Sequence, residues 1–219
     1  LHPSLGDNLE IIAECIGKLS IREHVPQIEA AIAESDTVLI LRHLQPLTQG
    51  DEAILKECGE KLSITWYTQS GGIDTIKPLN EAVILTYSIP DHKIEMEFLP
   101  NDFTQVNFAL NQKMINLAIE LLELNGKDSV LDLFCGLGNF TLPISKYVEK
   151  IVGIEGDRGL VERAKANADA NGITNASFYK ADLSEDVSGV EWFRGQKYNK
   201  VLIDPARTGA LEIVELLPK

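Results

Sequence analysis

A glycine turn between a strand and a helix is the stretch of this sequence best suited to chemistry. Residues 130–140 read Val-Leu-Asp-Leu-Phe-Cys-Gly-Leu-Gly-Asn-Phe, in which the apolar residues around Asp132 predict a buried strand that Gly136 and Gly138 break. A side chain at either glycine would keep the backbone away from a ligand. Glu155 ends the next apolar run, where a carboxylate can hold the two hydroxyls of a ribose. The stretch therefore predicts a cofactor that contains ribose.

The residues around the turn distinguish between two cofactors. A dinucleotide fingerprint has a third glycine three places after the second, but this sequence has Thr141 there. Asp132 would repel a phosphate, whereas its carboxylate suits the positive amino group and sulfonium of S-adenosylmethionine. The sequence favours S-adenosylmethionine, with a nicotinamide cofactor as the alternative.

Two further carboxylates follow predicted strands. Asp182 could accept a hydrogen bond from an adenine amino group or could cap a helix, and the sequence does not decide between these roles. Asp204 precedes Pro205, which fixes the local backbone and aims the carboxylate into the cleft. The next two residues, Ala206 and Arg207, include no aromatic side chain to stack on a base, so methylation of an exocyclic amine is disfavoured.

The elements around these residues alternate between strand and helix across residues 100–219. Asn107 is a predicted N-cap for a helix that ends at Asn125-Gly126. The predicted strands are 130–134, 151–154, 176–179 and 200–203, and the predicted helices between them are 139–147 and 158–170. Such alternation predicts a parallel sheet with right-handed crossovers. We therefore expect an α/β, Rossmann-like fold of which this chain contains the first four strands.

Residues 1–99 have a different pattern and predict an α+β module. The predicted helices are 5–19 and one that follows Thr48, and the predicted strands are 25–34, 37–44, 63–68, 73–76, 82–88 and 93–98. We expect the last four of these strands to form an antiparallel sheet. Proline and turn formers at 99–102 mark the boundary between the two modules.

Composition limits the class of protein. The chain has 219 residues, of which 44% are hydrophobic, and its formal net charge is −13. Neither a membrane span nor a signal peptide is indicated, so we expect a cytoplasmic protein with no membrane contact. Three dispersed cysteines and four dispersed histidines predict neither a disulfide framework nor a metal site. The acidic composition does not predict a surface that binds nucleic acid by charge, so if the substrate is a nucleic acid, its basic binding surface must lie elsewhere or be very local.

Four segments together resemble one family. Residues 132–143 read Asp-Leu-Phe-Cys-Gly-Leu-Gly-Asn-Phe-Thr-Leu-Pro, 103–107 read Phe-Thr-Gln-Val-Asn, 152–156 read Val-Gly-Ile-Glu-Gly, and 204–207 read Asp-Pro-Ala-Arg. In this order they resemble the bacterial RNA (uracil-5-)-methyltransferases, and the longest segment is most similar to the branch that modifies 23S ribosomal RNA. The resemblance implies a class I S-adenosylmethionine-dependent methyltransferase domain over 100–219, preceded by a central domain over 1–99.

The resemblance also implies residue roles and partners. The family's cofactor-binding positions correspond to Gln105, Phe134, Asn139, Glu155, Asp182 and Asp204, beside Asp132, Gly136 and Gly138 in the turn. The implied substrate is ribosomal RNA. Members of the ribosomal branch also carry a 4Fe-4S cluster on four cysteines, whose positions would lie upstream of residue 1. This sequence contains none of those ligands, and it leaves the oligomeric state open.

The family's mechanism uses a cysteine that adds to C6 of uracil and a glutamate base that removes the C5 proton. The resemblance puts both beyond residue 219, so we expect this chain to be an inactive fragment of an RNA uracil-C5 methyltransferase, without catalytic residues of its own. Cys135 lies inside the cofactor turn, and we assign it a structural role. The alternatives are a methyltransferase of another RNA or of an amine, and a non-catalytic module that binds the cofactor or RNA.

Overall fold

The computed structural model describes residues 2–207 and 209–217, and the chain divides into two compact units. The first unit comprises Leu1–Thr86 and Phe98–Asp102, and the second comprises Tyr87–Glu97 and Phe103–Lys219. Residues 87–97, which the sequence assigns to the first module, thus have their contacts in the second unit. Among the described residues, no helix combines the length and the apolar character needed to cross a bilayer.

The first unit begins with two helices, α1 (Pro3–Gly6) and α2 (Leu9–Gly17). The prediction of one helix over 5–19 was wrong, because the chain turns at Asp7 and Asn8. Gly6, Asp7 and Asn8 all have low helix propensity, and the Asn8 side chain instead donates to the Ser4 carbonyl at 2.9 Å. The helix α2 still buries its apolar face, including Ile12 and Cys15, in the core of the unit.

A four-stranded mixed sheet forms the centre of the first unit. Its strands are β1 (Gln27–Ile32), β2 (Thr37–Arg42), β3 (Thr65–Gln69) and β4 (Lys77–Pro78), in that spatial order, and α3 (Gln49–Leu62) connects β2 to β3. The prediction that 63–68, 73–76, 82–88 and 93–98 form one antiparallel sheet was wrong, because β3 lies in this sheet whereas Leu85–Ile89 and Ile94–Phe98 pair with each other in a separate one. Within the four-stranded sheet, β3 pairs antiparallel with β4 and parallel with β2. A crossover helix such as α3 returns the chain to the same end of the sheet, which makes its flanking strands parallel. Residues 73–76 form no strand, and Ile73–Thr75 is a short 3-10 helix.

The Asp51 side chain connects the start of α3 to Ser20, which follows α2. Its carboxylate accepts hydrogen bonds from the Thr48 backbone and hydroxyl at 2.9 and 2.7 Å, and from the Ser20 backbone and hydroxyl at 2.6 and 2.7 Å. Thr48 in turn accepts from the Asp51 N–H, which completes a capping box. The buried carboxylate has lost contact with water, and four hydrogen bonds from Thr48 and Ser20 replace those it would make with solvent.

We predict that Asp51→Asn lowers the free energy of unfolding by about 2 kcal/mol at pH 7. Burial alone would raise the pKa of Asp51, but the hydrogen bonds from Thr48 and Ser20 outweigh it and lower the pKa from 3.8 to about 2. The stabilisation is thus complete above pH 4 and is lost as the pH falls toward 2. Urea denaturation across this range measures it. The exposed Glu60→Gln on the same helix is the control, and an equal pH dependence in both variants would contradict the assignment.

The second unit contains a parallel sheet with the spatial order β10-β7-β8-β9. The strands β5 (Leu85–Ile89) and β6 (Ile94–Phe98) pair with each other, and their residues between Tyr87 and Glu97 belong to the second unit. The elements that follow are α4 (Phe108–Leu122), β7 (Ser129–Leu133), α5 (Thr141–Ser145), β8 (Lys150–Glu155), α6 (Arg158–Ala170), β9 (Ala176–Lys180), β10 (Lys200–Ile203) and α7 (Leu211–Leu216). All three strand pairs are parallel, as predicted.

The ends of α4 and α5 differ in part from the predicted ones. The helix α4 starts after Asn107, as predicted, and the Asn107 side chain accepts from the Leu110 N–H at 3.0 Å. It ends at Leu122, earlier than expected, because Glu123 adopts a positive φ of 48°. The helix α5 is shorter than the predicted 139–147, since Asn139 belongs to the glycine turn and Phe140 occupies the N-cap.

Alternation along β7 sends its side chains to two faces of the sheet. Leu131 and Leu133 join one core cluster with Val152 and Ile154 of β8. Val130 joins the cluster on the other face, with Ile144 of α5. Because side chains alternate along a strand, Asp132 shares the face of Val130 and points toward α5.

Candidate functional site

The turn after β7 has a backbone that requires glycine. Phe134, Gly136 and Gly138 have positive φ angles of 65°, 56° and 98°. The Cys135 N–H donates to the Ile154 carbonyl at 3.0 Å, which attaches the turn to β8. A Cβ at Gly136 would meet no atom within 4 Å, so the backbone there borders open space. The turn is therefore fixed from beneath and open to a ligand on its other side.

Glu155 closes the turn from the end of β8. Its Oε2 accepts from the Gly136 N–H and its Oε1 from the Asp157 N–H, both at 3.0 Å. Asp157 itself caps α6 by accepting from the Leu160 N–H at 2.9 Å. The two backbone bonds set the orientation of the Glu155 carboxylate, and each of its oxygens keeps further acceptor capacity.

Asp132 lies beneath the turn with only 1% of its surface exposed. Its Oδ2 accepts from the Thr141 hydroxyl at 2.5 Å. Burial, and after it the negative charges of Asp204 and Glu155, raise the pKa of Asp132 from 3.8 to about 7, although the hydrogen bond from Thr141 lowers it. Asp204 and Glu155, which lie at the ends of the strands on either side of β7, are therefore close enough to Asp132 to repel its charge.

Asp204 and Asp182 are both exposed but differ in their surroundings. The Asp204 N–H donates to the Leu133 carbonyl at 3.4 Å, which continues the pairing of β10 with β7 into the loop. Asp182 accepts from the Ser184 hydroxyl and N–H at 2.6 and 3.0 Å, and these bonds lower its pKa. The residues after Asp182 form a turn, so it caps no helix.

The other predicted binding residues lie around the turn. Phe134 is half-buried and packs against the cluster formed with Leu131 and Leu133. Gln105 is half-buried in the segment before α4. The side-chain amide of Asn139 contacts two residues that the sequence analysis did not select, Asn111 and Tyr87. Asn111 could have been noticed as a polar residue inside an apolar helix face, whereas no local signal singles out Tyr87.

Comparison with known proteins gives the family. A family model described as tRNA (Uracil-5-)-methyltransferase matches residues 61–217, which is more than half of the chain. The chain belongs to this family. The match includes all nine predicted binding residues, from Gln105 to Asp204.

Two curated relatives have closely similar sequences. The 23S rRNA (uracil(1939)-C(5))-methyltransferase RlmD of Vesicomyosocius okutanii subsp. Calyptogena okutanii is 62% identical over 100% of this chain and 50% of the relative. The protein of the same name from Stenotrophomonas maltophilia (strain R551-3) is 45% identical over 99% of this chain and 49% of the relative. The chain thus spans about half the length of the curated relatives it matches.

A solved structure supports the fold. The crystal structure of Pyrococcus abyssi tRNA (uracil-54, C5)-methyltransferase in complex with S-adenosyl-L-homocysteine aligns with a TM-score of 0.60 and 17% identity, over 82% of this chain and 43% of that chain. At 17% identity this comparison supports a statement about the fold alone. It confirms the predicted α/β, Rossmann-like architecture with a parallel sheet.

In this member of the uracil-5-methyltransferase family, Cys135 is a packing residue. Burial raises the pKa of its thiol well above the usual value, and the charges of Asp132 and Glu155 raise it further. The thiol faces Gly153 of β8, where a Cβ would lie 2.9 Å from Sγ. A thiol that stays protonated inside the protein is a poor nucleophile, which supports the structural role assigned to Cys135.

Gly153→Ala should lower the free energy of unfolding by about 1–3 kcal/mol through overpacking. The new methyl group would meet Phe178 Cδ1 at 2.8 Å in addition to the Cys135 sulfur. Adding Cys135→Ala should recover part of the loss, because it removes one of the two clashing atoms. Urea denaturation measures both variants. Gly126→Ala, with no atom within 4 Å of its Cβ, is the control, and a loss equal to that of Gly153→Ala would contradict the packing argument.

The residues of this chain do not fit an iron–sulfur cluster. Cys15, Cys58 and Cys135 are all buried free thiols, and Cys135 belongs to a different unit from the other two. In the described ranges 2–207 and 209–217, no group of three or more His, Cys, Asp or Glu could hold a metal ion. We therefore assign no step of the chemistry to a metal group on these residues.

Proposed function

We propose that the protein containing this chain is an S-adenosylmethionine-dependent methyltransferase that acts on C5 of a uridine in 23S ribosomal RNA in the cytoplasm. In this proposal the second unit supplies the cofactor pocket. The observation that carries it is the placement of Asp132 near the end of β7, Glu155 at the end of β8 and Asp204 directly after β10, on neighbouring parallel strands around an open glycine turn.

The residues present fit this cofactor. Glu155 is oriented by two backbone N–H groups and has acceptor capacity for two ribose hydroxyls. Gly136 borders open space, so a ligand can approach its backbone closely. No cationic side chain takes part in the hydrogen bonds of the described turn, and three carboxylates surround it, which suits a cationic ligand better than a pyrophosphate.

The negative charge of the site indicates how its residues would bind and orient the cofactor. When bound, S-adenosylmethionine supplies a methyl group on a positively charged sulfur. Asp132 and Asp204 produce a negative potential that attracts such a cation and lowers the cost of removing it from water. Glu155 orients the ribose, and the glycine turn fixes the distance between ligand and sheet. The chain thus binds and orients the methyl donor.

The substrate assignment depends on the relatives. Two proteins of the same name, 62% and 45% identical to this chain, are named as methylating uracil 1939 of 23S rRNA. The net charge of −13 argues against binding of RNA by charge alone, since phosphate contacts need clustered Lys and Arg. We therefore expect RNA contacts to be local and to depend on RNA shape.

The test is transfer of a labelled methyl group from S-adenosylmethionine to RNA transcripts by the full-length protein that contains this chain. We expect labelling of a 23S rRNA fragment that contains the equivalent uridine, and none after its replacement by cytidine. A tRNA transcript is the second arm, because the solved relative acts on tRNA uracil 54. Labelling of tRNA alone would replace the substrate assignment, and labelling of neither RNA would overturn the proposal.

A further inference from the structure

Asn139, directly after the second glycine of the turn, has nearly all of its side-chain hydrogen-bonding capacity occupied. Its Oδ1 accepts from Asn111 Nδ2 at 2.8 Å and from the Tyr87 hydroxyl at 3.0 Å. Its Nδ2 donates to Asn111 Oδ1 at 2.9 Å. An amide oxygen has two lone pairs and an amide nitrogen has two hydrogens. Only one N–H of Asn139 therefore remains to contact a ligand.

Tyr87 and Asn111 are rigid partners for this amide. Both are buried, with 3% of their surfaces exposed, and the Tyr87 ring stacks on Phe108 with centroids 5.6 Å apart. They reach Asn139 from 52 and 28 residues away in the sequence. All of these residues belong to the second unit. Tyr87 of β5 and Asn111 of α4 therefore both hold the side chain of Asn139 at the end of the turn.

The hydroxyl of Tyr87 decides which end of the amide is presented. A reciprocal pair of amides keeps both hydrogen bonds if both groups rotate by 180°, so Asn111 alone does not fix the orientation of Asn139. A buried phenol hydrogen requires an acceptor, and the Asn139 oxygen provides one. Burial also raises the pKa of Tyr87, which keeps this hydroxyl protonated as a donor.

We propose that Tyr87 and Asn111 are positioning residues that make Asn139 a hydrogen-bond donor to the carboxylate of the cofactor's amino-acid moiety. This inference rests on the function proposed above. The charged side chains around the turn, Asp132, Glu155 and Asp204, would repel an anion, so the single carboxylate of the cofactor needs a neutral donor. The oriented N–H of Asn139 supplies it.

The experiment compares two probes by isothermal titration calorimetry. S-adenosylhomocysteine carries the carboxylate, whereas S-adenosyl-3-thiopropylamine is the same molecule without it. We expect Tyr87→Phe to weaken binding of S-adenosylhomocysteine on the order of tenfold, which is the loss of one oriented hydrogen bond, and to leave the second probe within about twofold. Asn139→Asp should weaken the first probe more strongly, because it adds a repelling charge.

Controls separate positioning from folding. Tyr147→Phe removes a hydroxyl that bonds to His92 at 3.1 Å and not to Asn139, so it should change neither affinity. Thermal unfolding of each variant measures its folded fraction. Asn111→Asp, which keeps an acceptor for Asn139 and loses the donor, provides a second substitution if Tyr87→Phe fails to fold.

The outcomes are distinct. Failure of the wild-type protein to bind S-adenosylhomocysteine would overturn the proposed function itself. Binding by the wild type with unchanged affinity in Tyr87→Phe, or with equal weakening of both probes, would overturn the positioning role alone. Selective loss of affinity for the probe with the carboxylate would support it.

Discussion

Replacement of Glu155 by alanine should weaken binding of S-adenosylhomocysteine on the order of 100-fold, because the variant cannot accept the two hydrogen bonds that we propose from the ribose hydroxyls. The Glu155 carboxylate is already oriented by the N–H groups of Gly136 and Asp157, so the ligand does not have to order it. The variant also leaves the Gly136 N–H without its side-chain acceptor, which loosens the turn. Isothermal titration calorimetry with the wild type and the variant measures the loss.

Two variants test the reason for this loss. Glu155→Gln keeps one amide oxygen as an acceptor but loses the charge, and we expect a loss of about tenfold. Glu162→Ala removes an exposed carboxylate of α6 that pairs with Lys165 at 3.3 Å, and it should leave the affinity unchanged. If Glu155→Ala binds as tightly as Glu162→Ala, Glu155 does not hold the ribose.

The parallel half of the fold could be predicted because its signals are local. Each strand of this sheet is a short apolar run, and α6 is bounded by the Asp157 cap and by Gly172, which has a positive φ of 65°. The sequence gives no indication of the direction in which β2 and β3 pair in the first unit, for the opposite reason. Whether β2 and β3 run parallel depends on how α3 crosses the sheet, which no short stretch of sequence encodes.

The site shows the same division between local and distant information. Glycines in a turn and acidic residues at strand ends are visible in the sequence, and the structure places Asp204 and Glu155 close enough to Asp132 to raise its pKa. Asp182 shows no such interaction with them. The partners of Asn139 come from distant parts of the chain, so they emerge only once the chain has folded.

Asp132→Asn should make the protein more stable above neutral pH. In wild type the pKa of Asp132 is raised by burial, and then by the charges of Asp204 and Glu155, from 3.8 to about 7. Between pH 4 and 7 the unfolded chain has released this proton while the folded protein retains it. Stability therefore falls as the pH rises through this window and stays lower above pH 7.

The asparagine variant removes this pH-dependent loss. Its amide oxygen can still accept from the Thr141 hydroxyl, and it carries no charge to be buried beside two other carboxylates. We expect a gain on the order of 3 kcal/mol in unfolding free energy at pH 8 and little difference near pH 4.5, measured by urea denaturation at both values. A constant difference at the two pH values would show that burial of the charge is not the cause.

The gain in stability should come with a loss of cofactor binding. A positive ligand near Asp132 favours the ionised carboxylate and lowers its pKa, so binding offsets the cost of burying the charge. The neutral asparagine cannot make this contribution, so we expect Asp132→Asn to bind S-adenosylmethionine more weakly. The loss of affinity should be smaller for S-adenosylhomocysteine, whose sulfur carries no charge. Comparison of the two affinities in wild type and variant tests whether this carboxylate is retained for the charge of the methyl donor, at the expense of stability.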